Sequence, residues 1–219
     1  MKLLDCTLRD GGYYTNWDFS SGVVKNYILA MENLPIDYIE IGYRNSSKNK
    51  YYGEFFYCPI PTIDYINKLT KTPLAIIIDE RNIGKDEIQT LLSPCIDKIR
   101  MIRMAVDPKN ISSAIQKAQV INKMGFEVAF NTMYLSEWVK DYKFLDQIIG
   151  IENYVDYFYM VDSYGAVYPN QLKPLIFEIK ERTKVKLGFH GHNNLELAHA
   201  NSLIALEEGV DIIDSTILG

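Results

Sequence analysis

Short apolar runs alternate with longer amphipathic stretches along the whole chain. The apolar runs are nearly continuous, which is typical of strands that are covered on both faces. They predict eight strands, at residues 2–7, 38–42, 74–79, 99–105, 127–131, 157–162, 186–190 and 211–215.

The stretches between these runs carry apolar residues at helical spacing. Ser20 or Ser21 can cap the first helix, Pro61 opens the second, and Gly125 and Gly209 end two later ones. The pattern predicts seven helices, the first running through residue 31 and the others at 61–69, 85–92, 110–124, 136–149, 169–182 and 195–208.

Strict alternation of strands and helices requires parallel strands joined by right-handed crossovers. Eight such strands predict an α/β fold, the closed TIM (β/α)8 barrel, rather than an open flavodoxin-like sheet, which normally has fewer strands. A complete barrel usually needs about 250 residues. This chain has 219 and ends just after its eighth predicted strand. We therefore expect one catalytic barrel domain over residues 1–219, truncated after strand eight and lacking the last helix and any C-terminal domain.

Composition narrows the function classes. The formal net charge is −5, which argues against a nucleic-acid-binding protein, because such proteins neutralise phosphates with Lys and Arg. No apolar run reaches the roughly 20 residues that span a bilayer, and the N-terminus has no signal-peptide core. The three cysteines, Cys6, Cys58 and Cys95, are odd in number and widely spaced. They predict free thiols and a cytoplasmic location.

Polar residues cluster where the predicted strands end, and that end of a parallel barrel carries the active site. The residues concerned are Arg9, Asp10, Glu40, Tyr43, Asp79, Glu80, Arg81, Arg103, Asn131, Asp162, Ser163, His190, His192, Asp214 and Ser215. Among them, Asp79, Glu80 and Arg81 are expected to form a capped, solvated loop, with substrate contact as the alternative.

The sharpest local feature is His190-Gly191-His192. Two histidines two positions apart on an extended segment point to the same side, so both can reach one ion, although a pair of hydrogen-bonded histidines would have the same spacing. Asp10, after strand one, can complete an open site, and Arg9 can face a developing oxyanion. The alternative for Arg9 and Asp10 is a loop salt bridge. Gly11 and Gly12 are expected to let the backbone turn sharply there. His199, on the following helix, is expected to pack or to support the site, and Cys6 is expected to be a small core residue.

Four strings carry a resemblance to a known family. They are Asp5-Cys6-Thr7-Leu8-Arg9-Asp10-Gly11, Val161-Asp162-Ser163-Tyr164-Gly165, His190-Gly191-His192-Asn193-Asn194 and Ala200-Asn201-Ser202. With these strings in this order, the chain resembles the DRE-TIM metallolyases, also called the HMG-CoA-lyase-like or pyruvate-carboxyltransferase-domain family. Within that family it looks most like the 4-hydroxy-2-oxovalerate aldolase-like proteins.

The resemblance implies a divalent-metal-dependent carbon–carbon lyase that cleaves or forms a 4-hydroxy-2-oxo acid through a pyruvate enolate. Asp10, His190 and His192 would bind the metal, with Mn²⁺ expected and Mg²⁺, Zn²⁺ or Co²⁺ as alternatives. Arg9 would stabilise the enolate. The substrate-binding set implied is Glu40, Asn131, Asp162, Ser163 and Asn193, and Glu40 could instead orient Arg9.

One position departs from the aldolase branch, which carries a histidine base where this chain has Tyr13. An unperturbed tyrosine has a pKa near ~10 and is a poor base at neutral pH, so the base is open between Tyr13 and another group.

The alternatives to an aldolase are a Claisen-type acyl-CoA-dependent synthase, an HMG-CoA-lyase-like enzyme and a non-catalytic barrel domain of a larger protein. The expected partner is a small 2-oxo acid, with neither nucleic acid nor membrane. A homo-oligomer and an aldehyde dehydrogenase partner are compatible with the resemblance. The aromatic loop at residues 51–57 could be a lid, a substrate wall or a dimer contact.

Overall fold

The computed structural model describes residues 1–217 and forms a closed barrel of eight parallel strands in chain order. The strands are β1 Lys2–Asp5, β2 Tyr38–Tyr43, β3 Leu74–Asp79, β4 Met101–Val106, β5 Glu127–Thr132, β6 Tyr157–Asp162, β7 Lys186–Gly191 and β8 Ile212–Ser215. The barrel closes where β1 pairs with β8, with Leu4 opposite Asp214. This confirms the predicted TIM barrel, and the predicted bounds of β3 and β6 are correct to the residue.

Helices surround the barrel and lie between successive strands. They are α1 Thr7–Thr15, α2 Ser21–Met31, α3 Ile60–Leu69, α4 Glu87–Leu92, α5 Ile111–Lys123, α6 Leu135–Trp138, α7 Pro169–Lys180 and α8 Ala198–Glu207. Short 3₁₀ segments lie at Glu54–Phe56, Glu80–Asn82, Ser93–Cys95, Pro108–Asn110, Lys143–Ile148 and Ile151–Asn153. The Ser20 side chain caps α2 by accepting a hydrogen bond from the Val23 N–H, as the sequence predicts.

The interior of the barrel changes from apolar to charged toward the carboxyl ends of its strands. Because side chains on a strand alternate between the two faces, residues two apart share the barrel interior. Tyr38 and Met101 belong to the apolar interior cluster, and two residues further along stand Glu40 and Arg103, both fully buried. Asn131 on β5 and Asp214 on β8 likewise lie two residues after a member of this apolar cluster. A buried polar layer therefore lies directly beneath the mouth of the barrel.

The segment after β1 differs from the prediction. Residues 7–15 form helix α1, so Gly11 and Gly12 do not make a sharp turn, and β1 ends at Asp5. Gly12 is instead required by packing, because a Cβ there would lie 2.1 Å from Cδ1 of the Trp17 indole. The sequence concealed this helix because two glycines lower its intrinsic propensity, while the contacts that stabilise it come from residues further along the chain.

Two other helices differ from the prediction by three residues or more at one end. The helix predicted at 136–149 is only α6 followed by a 3₁₀ segment, because Trp138 packs edge-on against Phe144 and folds the chain back. Ser136 does not cap α6, because the N-cap residue of this helix is Tyr134. Helix α8 begins at Ala198 instead of residue 195, because the Asn193 side chain accepts a hydrogen bond from the Ala198 N–H.

The three cysteines are buried and unpaired, which confirms the prediction of free thiols. Within residues 1–217, no helix has the length and apolar character needed to cross a membrane.

Candidate metal and substrate site

Asp10, His190 and His192 come together at the mouth of the barrel. One possible ligand atom from each residue lies within 4.8 Å of those of the other two. Asp10 is on the first turns of α1, and the two histidines are at the end of β7 and just beyond it. The ring centroids of the histidines are 4.9 Å apart. The structure therefore brings together the three residues that the sequence predicts as ligands.

Hydrogen bonds at Nδ1 fix both histidine rings. Nδ1 of His190 donates to Oδ2 of Asp214 at 2.7 Å, and Nδ1 of His192 donates to the Asp162 carbonyl at 2.9 Å. With the proton held at Nδ1, the Nε2 lone pair of each ring is available for a ligand bond, as in most histidine metal sites. Burial, followed by the effect of nearby His190, lowers the pKa of His192, which favours its neutral, metal-binding form. The donor set therefore fits a divalent ion.

Asp10 is ionised at the site. Burial alone would raise its pKa, but Arg9 and His190 outweigh burial and lower the pKa to about 2. Oδ2 of Asp10 lies 3.7 Å from Nε2 of His190. Arg9 forms an ion pair with Oδ1 of Asp10, which leaves the second oxygen on the histidine side.

A second set of residues with metal-ligand chemistry, Cys6, His190 and Asp214, is equally close. It fits an ion less well, because Asp214 already accepts hydrogen bonds from His190 and Arg103. The thiol of Cys6 lies 3.2 Å from Oδ2 of Asp10, and burial, then Asp10, raises its pKa well above the usual value. A protonated thiol is not a metal ligand. Cys6 is thus a buried core residue, as expected, and it also touches the site.

Arg103 connects the carboxylate that positions Arg9 with the carboxylate that positions His190. This fully buried guanidinium donates from Nη1 to Oε2 of Glu40 at 2.9 Å, and it pairs through Nη2 with Asp214. Oε2 of Glu40 also accepts from Nε of Arg9 at 2.8 Å, so one carboxylate orients both arginines. Burial would raise the pKa of Asp214, but Arg103 and the hydrogen bond from His190 lower it. The buried polar layer therefore fixes Arg9 on one side and His190 on the other.

A cavity of about 800 Å³ opens above this layer. Seven predicted site residues other than the metal set can be compared with its walls. Five of them line it: Arg9, Tyr13, Asn131, Ser163 and Asn193. Glu40 and Asp162 are not on the wall, although they were expected to bind substrate. Glu40 orients the arginines, and the Asp162 carboxylate accepts the N–H groups of Ala166 and Val167 at 3.0 Å each.

Tyr13 lies one turn after Arg9 on α1 and is largely exposed to the cavity. Its hydroxyl is 2.9 Å from that of Tyr43. Burial raises the pKa of Tyr43 well above the usual value despite the nearby Arg9. Tyr43 therefore keeps its proton at neutral pH and can donate it to the Tyr13 oxygen.

An aromatic cluster supports α1 from outside. Trp17 packs edge-on against Tyr13, Tyr43, Tyr52 and Phe56, with centroid distances from 4.8 to 5.9 Å. Its indole N–H donates to the Arg9 carbonyl at 2.9 Å. The aromatic loop at residues 51–57 thus packs against the helix that carries Arg9.

Several cavity residues were missed as site residues at the sequence level. Tyr134 and Tyr164 lie in the loops after β5 and β6, and both line the cavity. His199 also lines it and is exposed, so it does not pack in the core, and the other expectation, that it supports the site, stays a prediction. Asp214 was noted only as a strand-end residue. Its position two residues after the inward-facing Ile212 was the signal that it enters the polar layer.

Comparison with known proteins places this architecture in a family. The family model described as HMGL-like matches residues 1–219. A 4-hydroxy-2-oxovalerate aldolase of Thermomicrobium roseum is 28% identical over 223 residues, covering 100% of this chain and 61% of that protein. One from Geobacillus thermodenitrificans is 27% identical over 218 residues, covering 98% of this chain and 63% of that protein. The chain thus spans about three fifths of these curated relatives.

Solved structures are similar over the whole chain. The crystal structure of the N-terminal domain of an aldolase candidate from Bacteroides vulgatus has a TM-score of 0.97 at 47% identity, covering 100% of this chain and 73% of that one. The carboxyl transferase domain of Rhizobium etli pyruvate carboxylase, solved with pyruvate, has a TM-score of 0.79 at 17% identity, covering 99% and 40%. The second likeness shows the fold alone. Together with the matched family model, the barrel and its site establish that this chain belongs to the HMGL-like family.

Proposed function

We propose that the protein is a divalent-metal-dependent aldolase that forms or cleaves a 4-hydroxy-2-oxo acid through a pyruvate enolate. The observation that carries this proposal is the placement of Arg9 beside the Asp10, His190 and His192 cluster at the floor of one cavity. The curated relatives named 4-hydroxy-2-oxovalerate aldolase support the same reaction class.

Asp10, His190 and His192 would hold the ion, and Mn²⁺ is the first candidate for a mixed imidazole and carboxylate set, with Mg²⁺, Zn²⁺ or Co²⁺ as alternatives. When bound, the ion supplies a Lewis acid that polarises the 2-oxo group.

Charge balance in the floor favours this assignment. Two guanidinium groups, of Arg9 and Arg103, face the carboxylates of Asp10, Glu40 and Asp214, which leaves one net negative charge when the histidines are neutral. A divalent cation makes the floor net positive, and a 2-oxo acid carries the one negative charge that neutralises it.

Arg9 is the residue that would face the enolate oxygen. Its Nε and Nη1 are occupied by Glu40 and Asp10, and within residues 1–217 its Nη2 makes no hydrogen bond. Because these two bonds hold the guanidinium in place, it is pre-organised and stabilises developing negative charge without having to reorient. Burial on one face of α1 and the Trp17 hydrogen bond to its carbonyl keep it there.

Tyr13 is the candidate for moving the proton on the substrate 4-hydroxyl. It is on the same helix as Arg9, one turn further, and exposes its phenol to the cavity. The phenol of Tyr43 can donate to the Tyr13 oxygen, which helps the Tyr13 O–H to point toward substrate. Asn131, Ser163 and Asn193 would contact the substrate from the remaining walls.

A Claisen-type acyl-CoA-dependent synthase and an HMG-CoA-lyase-like enzyme, which both act on a CoA thioester, fit this cavity less well. The diphosphate of such a cofactor is bound by cationic side chains, and Arg9 is the single Lys or Arg among the described residues that line the cavity. A barrel that binds metal without turnover is the remaining alternative. We expect a cytoplasmic protein because the three thiols are unpaired, with an aldehyde dehydrogenase as a candidate partner for the released aldehyde.

The test is pyruvate release from a panel of 4-hydroxy-2-oxo acids, measured before chelation, after chelation and after Mn²⁺ is restored. The proposal predicts release that chelation abolishes and Mn²⁺ restores. Release that continues unchanged in chelated, metal-free protein would contradict the metal requirement. Metal binding without release from any acid in the panel would favour the binding domain.

A further inference from the structure

The two ends of the cavity differ in chemistry. In a closed barrel of eight strands, β1 and β5 lie on opposite sides. Arg9 and Tyr13 follow β1, whereas Asn131, Tyr134, Ser163 and Tyr164 belong to β5, β6 and the loops that follow them. If the 2-oxo acid half is held between the metal ligands and Arg9, the wall formed by β5 and β6 faces the other half of the substrate.

Tyr134 and Tyr164 form an aromatic platform on this wall. Their ring centroids are 5.8 Å apart and their planes are inclined by 25°. Tyr134 has a left-handed backbone, with φ 64° and ψ 40°, and its N–H donates to Oγ of Ser163 at 2.9 Å. A non-glycine residue in this conformation costs energy and persists only where surrounding contacts hold it, which is common at ligand sites.

The same wall offers hydrogen-bond donors that the protein leaves free. Oδ1 of Asn131 accepts from Arg103 at 3.0 Å, so its Nδ2 group is turned away from that bond. Oγ of Ser163 accepts from Tyr134, and its own hydroxyl proton is available. Neither donor has another partner within residues 1–217. An apolar or purely aromatic ligand would bury these groups without hydrogen bonds, at a cost in free energy.

None of the described residues that line this wall is a Lys or an Arg. Arg81 lies behind it, where it interacts with Tyr134 and makes two hydrogen bonds to Asp79 at 3.1 Å through Nε and Nη2. A phosphorylated substrate would therefore meet only a cation that is already paired with a carboxylate. The cavity of about 800 Å³, which is open at the mouth of the barrel, also has room for a substrate of more than five carbons.

We propose that the acceptor half of the substrate is an uncharged, polyhydroxylated aldehyde of about four or more carbons, bound on the Tyr134 and Tyr164 platform. This inference rests on the proposed aldolase function. The C–H face of such a chain or ring packs on the tyrosine rings, and its hydroxyls meet Asn131 and Ser163. In the reaction, C3 of pyruvate loses a proton and bonds to the aldehyde carbon, and the aldehyde oxygen gains a proton. No electrons are transferred to another molecule.

The first experiment separates the two proposals. The full chain, loaded with Mn²⁺, is incubated with pyruvate in D₂O without any aldehyde, and loss of the methyl protons is followed by NMR. Exchange reports enolate formation and needs no acceptor. Absence of exchange overturns the proposed function and with it the acceptor inference.

The second experiment measures pyruvate consumption with five aldehydes: acetaldehyde, benzaldehyde, D-glyceraldehyde, D-erythrose and D-glyceraldehyde 3-phosphate. The inference predicts that kcat/KM for D-erythrose exceeds that for acetaldehyde and benzaldehyde at least about tenfold, since several hydroxyl contacts distinguish them. If exchange occurs but acetaldehyde, benzaldehyde or the phosphate is preferred, or no aldehyde reacts, the acceptor inference is wrong while the proposed function stands.

Variants locate the preference on the platform. Tyr164→Ala is expected to lower the ratio of kcat/KM for D-erythrose to that for acetaldehyde about tenfold, and Tyr134→Phe, which removes only the hydroxyl, is expected to lower it less. Tyr65→Ala is the matched control, because Tyr65 is an exposed tyrosine on α3 outside the cavity. An unchanged ratio in Tyr164→Ala would show that another wall selects the acceptor.

Discussion

Nδ1 of His190 donates to the carboxylate of Asp214 at 2.7 Å, and this bond aims the opposite nitrogen of the ring toward Asp10. Asp214 is itself held by the buried Arg103. The position of His190 therefore depends on the guanidinium of Arg103, which does not line the cavity. The geometry of the site is therefore set largely by the polar layer inside the barrel.

Asp214→Asn is expected to weaken metal binding about 10- to 100-fold, because an amide orients and polarises the His190 ring less well than a carboxylate does. The measurement is a titration of metal-free protein with Mn²⁺. Glu207→Gln, an exposed position on α8, removes the same charge far from the ring and is the control. Equal affinities in the two variants would show that Asp214 does not support the ligand.

Arg103→Met is expected to destabilise the fold by about 3–5 kcal/mol, because it leaves Glu40 and Asp214 as buried carboxylates without their shared cation. Arg100→Met removes an exposed arginine that pairs with Glu127, and is expected to cost about 1 kcal/mol or less. Urea unfolding of both variants gives the comparison. Equal losses of stability would contradict a structural role for the buried network.

Gly12→Ala is expected to destabilise the protein by about 1–3 kcal/mol, since the new methyl group would overlap the Trp17 indole. Trp17 also binds the Arg9 carbonyl, so tryptophan fluorescence should shift in the folded state. Gly22→Ala is the matched helical control, because a Cβ there meets no atom within 4 Å. It is expected to be neutral or stabilising by up to about 1 kcal/mol. A neutral Gly12→Ala would contradict the packing described for α1.

Tyr13→Phe is expected to lower kcat about tenfold or more while metal affinity is unchanged, if its hydroxyl moves the substrate proton. Tyr65→Phe is the control for loss of an exposed phenol hydroxyl. The pH dependence of kcat should change in the first variant only. A Tyr13→Phe enzyme with the original kcat would assign the proton transfer to another group.

Much of the barrel could be predicted because buried parallel strands are nearly continuous apolar runs. The eight strands follow from that pattern, and most predicted bounds are within two residues of the structure. Helix α1 could not be predicted, because its stability comes from Trp17 and the aromatic loop, and sequence spacing does not report such contacts. The same limit explains the shortened helix α6, where packing of Trp138 on Phe144 overrides local periodicity.

The candidate ligands were predictable because the two histidines lie at the end of β7 with a spacing of two, and Asp10 follows β1 within a few residues. The residues that position these ligands and Arg9 were harder to predict. Glu40 lies within β2 and Asp162 ends β6, and both were predicted to bind substrate, yet Glu40 orients two arginines and Asp162 holds a loop. Sequence position shows which end of a strand a residue occupies, whereas cavity contact depends on where the side chain finds its partners.

The most direct test of the account is the metal content of the protein, purified without chelator, by elemental analysis alongside Asp10→Asn and His192→Ala. The account predicts one divalent ion per chain in the unaltered protein and little or none in either variant, with the fold retained by circular dichroism. An unaltered protein without metal that also fails to bind added Mn²⁺, or variants that keep a full complement, would contradict the central claim.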